Sequence, residues 1–455
     1  MATDTRTLAQ KHLFPHFTRG QVWRDDNLPV IVRGDGCYLF DERGTRYLDG
    51  LAGLFCVALG HGRADIPAVA AKQMEQLAYW TNWSAAHPAS AEAAALIAGL
   101  APGDLERVFF VNSGSEAVES AIKFARQYHV ARGHPERTKI ISRDMAYHGT
   151  TLGALAVTGI AKYKEPFGPL MPGVRHIPNT LGEQVPVGGS AADLPSLRAL
   201  VTVIEEEGPE TVAAVFAEPV QNSRGALVPP EGYWQQLREI CDRYGILLVA
   251  DEVICAFGRL GEWFGSAKYG VVPDLLTFAK ASTSGYAPLG GVLIREELAA
   301  TVLDSPRTGT FTHGATWGGH PVSTAVAVAN ISAMRDEHVL DNVRALEPHF
   351  QAGLDRIRDA HPSVREWRGT GFFYAIEFTG NRHTGRELTE QQGVELVREV
   401  MPRAMSRVNL ITRPDDRGAT MLMLSPPLVA DRAVLDELLA GVDAVVSAAD
   451  AHVGN

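Results

Sequence analysis

The sequence predicts an α/β protein with a mainly parallel sheet, and three observations lead to this prediction. Short apolar segments alternate with longer amphipathic segments through the middle of the chain. This pattern is typical of strands that are buried on both faces and joined by crossover helices. The 455 residues, 45% of them hydrophobic, suffice for a large core and two domains. Beyond residues 61–335 the pattern changes, which predicts a second, smaller domain.

Six segments of the central region are predicted strands. Each is a continuous, mostly apolar run that ends in turn-forming or polar residues. They are RVFFV (107–111), TKIIS (138–142), VAAVFAEPV (212–220), GILLVADEV (245–253), DLLTFA (274–279) and GGVLIR (290–295). Amphipathic helices are expected between them.

Residues 230–244 form one such predicted helix. Proline stands at its start, Trp234, Leu237 and Cys241 recur at steps of three and four residues, and Gly245 follows as a stop signal. The helix then leads directly into the strand GILLVADEV.

The smaller domain is predicted to combine both chain ends, residues 1–60 and 336–455, around a large domain of residues 61–335. Residues 30–50 alternate in short pieces bounded by turns, and a long helix follows the large domain. The segments FFYAIEF, VNLITR and ATMLMLSPPL then resemble strands of an antiparallel or mixed sheet. A last helix is expected after Asp431, which is a candidate cap.

Charge and composition favour a small-molecule partner. The formal net charge is -11 and no cluster of Lys and Arg interrupts it, which argues against nucleic acid or an anionic membrane as partner. The first twenty residues lack the apolar core of a signal peptide, and no apolar run reaches about 18 residues. The four cysteines show no CxxC spacing, which fits a reducing compartment without requiring it. With no signal peptide or membrane span expected, the cytoplasm is the predicted location. No metal ligands are assigned.

Two charged residues stand where predicted strands end. Asp251 closes ILLVAD, and Lys280 follows DLLTFA and precedes small residues. A buried carboxylate needs a cationic or hydrogen-bonded partner, whereas a desolvated amine has a lowered pKa and becomes a nucleophile toward carbonyl groups. In open α/β sheets such strand ends face the ligand crevice. The alternatives are a loop cap for Asp251 and a surface side chain for Lys280.

The break in FFVNSGSEAVESAIKF has the features of a phosphate site. A strand ends near Asn112 and a helix follows, so Ser113, Gly114 and Ser115 lie at a helix N-terminus. Free backbone N–H groups and the helix dipole favour an anion there, and glycine permits its close approach. An ordinary capped helix is the alternative. Tyr147, in AYHGTTLGA, is a candidate ring for stacking on a flat cofactor, or a half-buried packing residue.

Together these features point to one cofactor and one family. Pyridoxal 5'-phosphate requires a phosphate cradle, a stacking ring, a buried anion and a reactive amine. The motifs NSGSEA, YHG, EPV, DEV, AKASTSGYAPLGG, HGATWGGHPV and LSPPL follow one another as in the class III, or omega, aminotransferases. The chain resembles this family over nearly its whole length. The resemblance implies the fold type I of pyridoxal-phosphate-dependent transferases, with a mainly parallel large domain and a smaller α+β domain.

The resemblance also implies roles for individual residues. Lys280 corresponds to the lysine of the internal aldimine and to the base and acid that moves the substrate proton, and Asp251 to the partner of the pyridine nitrogen. The further implied cofactor contacts are Ser113, Gly114, Ser115, Tyr147, His148, Glu218, Val253 and Thr316. For Glu218 a purely structural salt bridge is the alternative.

Thr316 is the residue from which the resemblance predicts an oligomer. It corresponds to a hydroxyl that reaches the phosphate of the neighbouring subunit, which implies a homodimer, or a tetramer, with sites at the interface. In a monomer Thr316 would instead be an ordinary helix-start residue.

The implied substrate pocket is apolar with one cation. Phe55 stands where the beta-alanine and amine:pyruvate group often has tryptophan, and Trp83 and Tyr147 are the other predicted walls. Core packing is the alternative for Phe55 and Trp83. Arg413 corresponds to the mobile arginine that binds a substrate carboxylate, and the nearby Arg417 is the alternative.

The predicted reaction is a ping-pong transfer of an amino group from an omega-amino acid or primary amine to pyruvate or another 2-oxo acid. The alternatives are an aminomutase of the glutamate-1-semialdehyde type, a 4-aminobutyrate/2-oxoglutarate-type transaminase, and a non-catalytic protein that binds the cofactor. A Rossmann oxidoreductase is disfavoured because NSGSEA is not GxGxxG.

Overall fold

The computed structural model describes residues 4–26, 28–186 and 188–454. Three β-sheets, of seven, four and four strands, organise these residues. Within the same ranges, no helix is both long and apolar enough to cross a membrane.

Short elements open the chain. They are α1 (Thr5–His12), α2 (Gly20–Trp23), β1 (Ile31–Asp35), β2 (Tyr38–Asp41), β3 (Arg46–Asp49) and α3 (Ala52–Phe55). Strand β2 pairs antiparallel with both β1 and β3, so the three strands form a meander. Helix α3 is irregular because Gly53 and Leu54 leave the helical region of backbone dihedrals.

The seven-stranded sheet occupies the middle of the chain. Its strands are β4 (Arg107–Val111), β5 (Lys139–Arg143), β6 (Val174–Ile177), β7 (Val212–Ala217), β8 (Leu247–Asp251), β9 (Leu275–Phe278) and β10 (Gly290–Ile294). The spatial order is β4-β10-β9-β8-β7-β5-β6. Strands β6, β5, β7, β8 and β9 are parallel, whereas β10 runs antiparallel to both of its neighbours.

Helices cover both faces of this sheet. They are α4 (Asp65–Gln76), α5 (Pro88–Leu100), α6 (Gly114–Ala131), α7 (Leu152–Val157), α8 (Ala161–Lys164), α9 (Pro195–Glu207), α10 (Tyr233–Tyr244), α11 (Gly265–Lys268), α12 (Glu296–Asp304) and α13 (Pro321–Asp336). The next helix, α14 (Val339–Ala360), packs instead against the strand Val364–Thr370 and the last helix of the chain. Side chains alternate between the faces of a strand, so Leu248 and Ala250 of β8 pack in one core while Leu247 and Val249 pack in another.

The C-terminal region adds the third sheet. Its elements are β11 (Val364–Thr370), β12 (Phe373–Phe378), α15 (Glu390–Glu395), α16 (Met401–Arg407), β13 (Leu410–Ile411), β14 (Arg413–Asp415), β15 (Met421–Leu424) and α17 (Arg432–Val453). The antiparallel order is β11-β12-β15-β14, while β13 pairs in parallel with β3 of the N-terminal sheet. Both chain ends therefore contribute to one sheet.

The sequence predicted most of these elements but misjudged several ends. All six central strands are confirmed, although VAAVFAEPV stops at Ala217, just before the Glu218–Pro219 pair, because proline cannot donate a ladder hydrogen bond. Strand β6 was missed because VRHI is short and lies at the sheet edge. The helix predicted from residue 230 begins at Tyr233. Asp431 caps α17 as expected, with its carboxylate accepting from Val434 N–H at 2.9 Å.

Candidate active site

The carboxyl ends of the central strands surround a cavity of about 140 Å³. Asp251 ends β8, Lys280 follows β9, and the loops after β4 and β5 close the other sides, as expected for the ligand crevice of a parallel sheet. The lining residues are Ser113, Gly114, Ser115, Tyr147, His148, Gly149, Glu218, Asp251, Val253, Ile254, Cys255 and Lys280. The cavity thus brings together every predicted cofactor contact except Thr316.

Asp251 is a buried carboxylate with three donors. His148 Nδ1 lies 2.6 Å from Oδ2, while Thr277 Oγ1 and the Val253 backbone N–H donate to Oδ1 at 3.0 and 3.1 Å. The side chain is only 4% exposed. These contacts stabilise the buried charge and fix the direction of the carboxylate. His148 acts here as a partner of Asp251.

Lys280 lies beside the same cavity in a strained backbone conformation. Its φ of 42° is in the left-handed region, which is unusual for a residue with a side chain. The side chain is half-buried. Burial lowers the pKa of Lys280, and the positive charge of Arg413 lowers it further, while Cys56 and Asp251 act in the opposite direction. A larger share of the amine is therefore neutral and nucleophilic near neutral pH than in a free lysine.

The N-terminus of α6 forms the opposite wall. The Ser113 side chain accepts from Glu116 N–H at 3.2 Å, so this serine is the helix cap that the alternative interpretation expected. Capping uses the N–H group of Glu116, whereas those of Gly114 and Ser115 in the first turn have no intrahelical acceptor. Ser115 Oγ accepts from Thr150 N–H at 3.1 Å and thereby joins the helix to the loop after β5. Capping by Ser113 therefore leaves the N–H groups of Gly114 and Ser115 available to an anion, and these two groups form the anion cradle.

Gly114 and Gly149 stand at positions where a larger side chain would clash with its neighbours. A Cβ on Gly114 would lie 2.8 Å from the Val253 side chain, and a Cβ on Gly149 would overlap Ser115 Oγ. Gly149 also has a φ of 117°. This cradle, the Asp251 carboxylate and the Lys280 amine fit the phosphate, ring nitrogen and aldehyde of pyridoxal 5'-phosphate.

We expect Gly149→Ala to weaken cofactor binding at least tenfold. The methyl group would displace Ser115 at the cradle, in addition to the roughly 1 kcal/mol cost of holding alanine at positive φ. Fluorescence titration of the apoenzyme with pyridoxal 5'-phosphate measures the dissociation constant. Gly133→Ala is the matched control, because Gly133 has a φ of 86° but nothing within 4 Å of its Cβ position. Equal affinity losses in both variants would contradict the cradle.

Glu218 connects the loops on one side of the cavity. Its Oε1 accepts from Tyr147 N–H at 3.2 Å and its Oε2 from Asn222 N–H at 2.9 Å. Burial raises the pKa of this carboxyl. Its partners in the described ranges are thus backbone N–H groups rather than the cation that a salt-bridge role would require.

A pair of arginines lies above the cavity on strand β14 and the turn that follows. Arg417 is nearly buried and donates from Nε to Asp415 at 2.9 Å and from Nη1 to Ser223 Oγ at 2.8 Å. Arg413 lies 5.4 Å from the ring centroid of Phe55, a cation–π distance. Its Nε atom is buried and makes no hydrogen bond to the described residues, while its Nη2 atom lies 3.0 Å from Asp415 Oδ2, an ion pair without hydrogen-bond geometry. Arg413 is therefore held less tightly than Arg417.

Asp415 is expected to stabilise the fold by about 2 kcal/mol above pH 4. Burial alone would raise its pKa, but the hydrogen bonds and charge of Arg417, together with the charge of Arg413, lower it to about 2, below the ordinary value near 3.8. A depressed carboxyl pKa stabilises the folded state above the unfolded pKa, and this contribution is lost as the pH falls from about 4 to about 2. Urea unfolding between pH 5 and 3 should show a steeper loss for the wild type than for Asp415→Asn. Asp416→Asn, at an exposed neighbouring position, is the control and should lose stability as steeply as the wild type. If the free energy of unfolding fell equally steeply in the wild type and in Asp415→Asn, the expectation would be contradicted.

Four predicted site residues do not line the cavity of this single chain, namely Phe55, Trp83, Thr316 and Arg413. Trp83 is 63% exposed, and Thr316 lies in an exposed turn whose backbone carbonyl accepts from Tyr79 O–H at 2.8 Å. Phe55 is buried and meets Phe373 edge-on at 5.5 Å, so it belongs to a hydrophobic cluster as well as contacting Arg413. Core packing thus holds for Phe55, and the cavity roles of Trp83 and Thr316 remain predictions.

Sequence reasoning missed Thr277 and Asp415. Thr277 is an ordinary strand residue by composition, and its bond to Asp251 depends on the parallel register of β8 and β9, which pairs the two residues. Asp415 lies within the segment RPDD, and its spacing of two residues from Arg413 would have placed both side chains on one face of a strand.

A larger groove, of about 680 Å³, lies elsewhere. It is lined by residues 180–183, the loop at 224–228 and strand β11, and it contains none of the predicted site residues. Its three arginines, Arg224, Arg365 and Arg368, share the carboxylate of Glu377. The smaller cavity is the one that contains both Lys280 and Asp251.

Comparison with known proteins supports the same conclusion. The model of the family described as aminotransferase class-III matches residues 20–446. The chain is 44% identical to a probable aminotransferase of Mycobacterium tuberculosis, over 94% of this chain and 91% of the relative, and 38% identical to the putrescine–pyruvate aminotransferase of Pseudomonas aeruginosa, over 96% and 94%. A solved (S)-enantioselective omega-transaminase from Thermomicrobium roseum superposes with a TM-score of 0.90 at 39% identity, covering 97% and 98% of the two chains, and confirms the predicted fold type I. The chain therefore belongs to the class III aminotransferases, a family of pyridoxal-phosphate-dependent enzymes.

Proposed function

We propose that this aminotransferase moves the amino group of an omega-amino acid or a primary amine to pyruvate in a ping-pong cycle. The observation that carries the proposal is the position of Arg413. Its guanidinium lies 5.4 Å from the Phe55 ring centroid, is paired only with Asp415, at 3.0 Å, among the described residues, and is close enough to Lys280 for its charge to lower the Lys280 pKa. A guanidinium edge binds a carboxylate in two parallel hydrogen bonds, and the adjacent ring suits an apolar substituent. The named activities of the Pseudomonas aeruginosa and Thermomicrobium roseum relatives agree with this substrate class.

The chain's own residues divide the chemistry between them. When bound, pyridoxal 5'-phosphate supplies the electron sink that stabilises negative charge at the substrate carbon. The Asp251 carboxylate, held by His148 and Thr277, keeps a proton on the ring nitrogen. The Lys280 amine would remove the proton from the substrate carbon as a base and then, as the ammonium, donate it to the bound cofactor. Its lowered pKa favours the neutral base that the first of these transfers needs.

The cavity walls position the reactants. The N–H groups at the start of α6 bind the phosphate, and Val253 and Tyr147 limit the space for the ring. Arg413 would bind the carboxylate of pyruvate and thereby fix the orientation of the acceptor in the cavity. A donor without a carboxylate leaves the Arg413 guanidinium in its contact with Phe55.

The half-reaction tests this proposal. Holoenzyme is mixed separately with beta-alanine, taurine and 1-phenylethylamine, and loss of the visible absorbance reports amino transfer to the cofactor. We expect at least one of these donors to convert the enzyme and pyruvate to reverse the conversion. If no donor changes the spectrum, the substrate class is wrong. Turnover of a single amino compound without an added 2-oxo acid would instead indicate an aminomutase.

We further propose a cytoplasmic homodimer whose interface completes the site. Trp80, Trp83 and Trp317 are 52%, 63% and 56% exposed, and large exposed aromatic groups near one another are typical of protein interfaces. Thr316, beside Trp317, would then be buried against the neighbouring subunit. Sedimentation should give twice the chain mass, and Thr316→Ala should weaken cofactor affinity while leaving that mass unchanged. A monomer with full cofactor affinity would contradict the dimer.

A further inference from the structure

Strand β14 places two opposite charges on one face. Side chains alternate along a strand, so Arg413 and Asp415 project to the same side while Pro414 projects to the other. Asp415 Oδ2 lies 3.0 Å from Arg413 Nη2, within ion-pair distance, but the geometry of this contact is not that of a hydrogen bond. The carboxylate thus attracts the guanidinium without fixing it in one orientation.

Asp415 itself is held firmly from the other side. Its Oδ1 accepts from the backbone N–H and from Nε of Arg417, each at 2.9 Å, and Nε also reaches Oδ2 at 2.9 Å. Arg417 is anchored in turn by Ser223 Oγ. The Asp415 side chain is 3% exposed, whereas that of Arg413 is 28% exposed. Of the two partners, Arg413 is therefore the one free to move.

We propose that Asp415 is a specificity-determining residue that competes with the substrate carboxylate for Arg413. This inference rests on the proposed function, in which Arg413 binds the carboxylate. With an uncharged amine the guanidinium stays with Asp415, and with a carboxylate it exchanges one anion for the other. The Asp415 carboxylate therefore weakens binding of carboxylate substrates and leaves uncharged amines unaffected.

Asp415→Asn is the direct test. Removing the competing charge should lower the KM for pyruvate about tenfold, because pyruvate then binds Arg413 without displacing the Asp415 carboxylate from it. The kcat/KM for 1-phenylethylamine, measured in the half-reaction without acceptor, should stay within about twofold. Asp416→Asn is the matched control, because Asp416 is exposed and its nearest cation is Lys162, at 3.6 Å. An unchanged KM for pyruvate, or equal changes for both substrates, would overturn the inference.

A charge-balanced variant guards against loss of folding. Asp415→Asn leaves two buried arginines without their anion, whereas the double variant Asp415→Asn/Arg417→Gln removes one cation together with the anion. We expect both to show the same gain for pyruvate. Should the single variant not fold, the double variant decides alone, and an unchanged KM for pyruvate there would also overturn the inference.

Binding of propionate separates this inference from the proposed function. Propionate has a carboxylate but no reactive group, so calorimetric titration of the holoenzyme measures Arg413 binding without turnover. Introduced alone, Asp415→Asn should tighten propionate binding about tenfold, whereas introduced together with Arg413→Gln it should not tighten binding at all. The same gain in the Arg413→Gln background would overturn the role of Asp415. If Arg413→Gln alone binds propionate as tightly as the wild type, the carboxylate site of the proposed function fails instead.

Discussion

Replacing Lys280 with alanine is expected to reduce the half-reaction rate by roughly 10⁴-fold. The variant loses the amine that is proposed to move the proton at the substrate carbon, and general acid–base groups contribute up to about that factor. It also loses the nucleophile that the strained backbone at φ 42° presents to the cavity. Single-turnover absorbance with beta-alanine measures the rate. Borohydride reduction of the wild-type holoenzyme, followed by peptide mapping, should attach the cofactor to Lys280.

A small amine and a variant of an exposed surface lysine provide the controls for this variant. Methylamine added to Lys280→Ala should restore part of the rate, because it supplies a base without the side chain. Lys162→Ala should behave as the wild type, since Lys162 is exposed and lies 3.6 Å from Asp416 on the surface. Cofactor trapped on any other lysine would refute the assignment.

Replacing Asp251 with asparagine should slow the half-reaction roughly 10³-fold. Asparagine keeps the size of the side chain but removes the negative charge that is proposed to hold a proton on the ring nitrogen, and preorganised charges of this kind contribute about that much. The stopped-flow rate with beta-alanine and the dissociation constant of the cofactor are both measured. We expect the affinity to fall as well, because the His148 and Thr277 contacts then meet a neutral amide.

Thr277→Val provides a graded comparison for Asp251. It removes one of the three donors to the carboxylate and leaves the charge in place, so the rate should fall by no more than about tenfold. If Asp251→Asn were as mild as Thr277→Val, the charge of Asp251 would not be what the reaction requires.

The sequence predicted the cavity well because its residues follow from local rules. Lys280 and Asp251 stand at the ends of apolar runs, and Gly114 stands where a strand gives way to a helix, so strand ends and helix starts located them without any knowledge of contacts. The parallel arrangement then brings these ends to one edge of the sheet. What the sequence could not supply was register, which decides that Thr277 faces Asp251.

The arginine pair shows a different limit. Arg413 and Arg417 are equivalent as sequence signals, since both follow the short apolar segment that ends at Ile411 within six residues. Their difference arises from packing, because Arg417 is bound by Asp415 and Ser223, and Ser223 belongs to a loop distant in sequence. Local pattern thus indicated an arginine, and long-range contacts separated the two candidates.

The parallel pairing of β3 with β13 has a consequence for how the enzyme matures. Phe55 follows β3 and Arg413 follows β13, so their contact joins segments made at opposite ends of translation. The central sheet needs neither strand and can form while the ribosome is still at work. The proposed substrate pocket, to which Phe55 and Arg413 belong, is therefore completed only after both strands have been synthesised, later than the central sheet that carries Lys280.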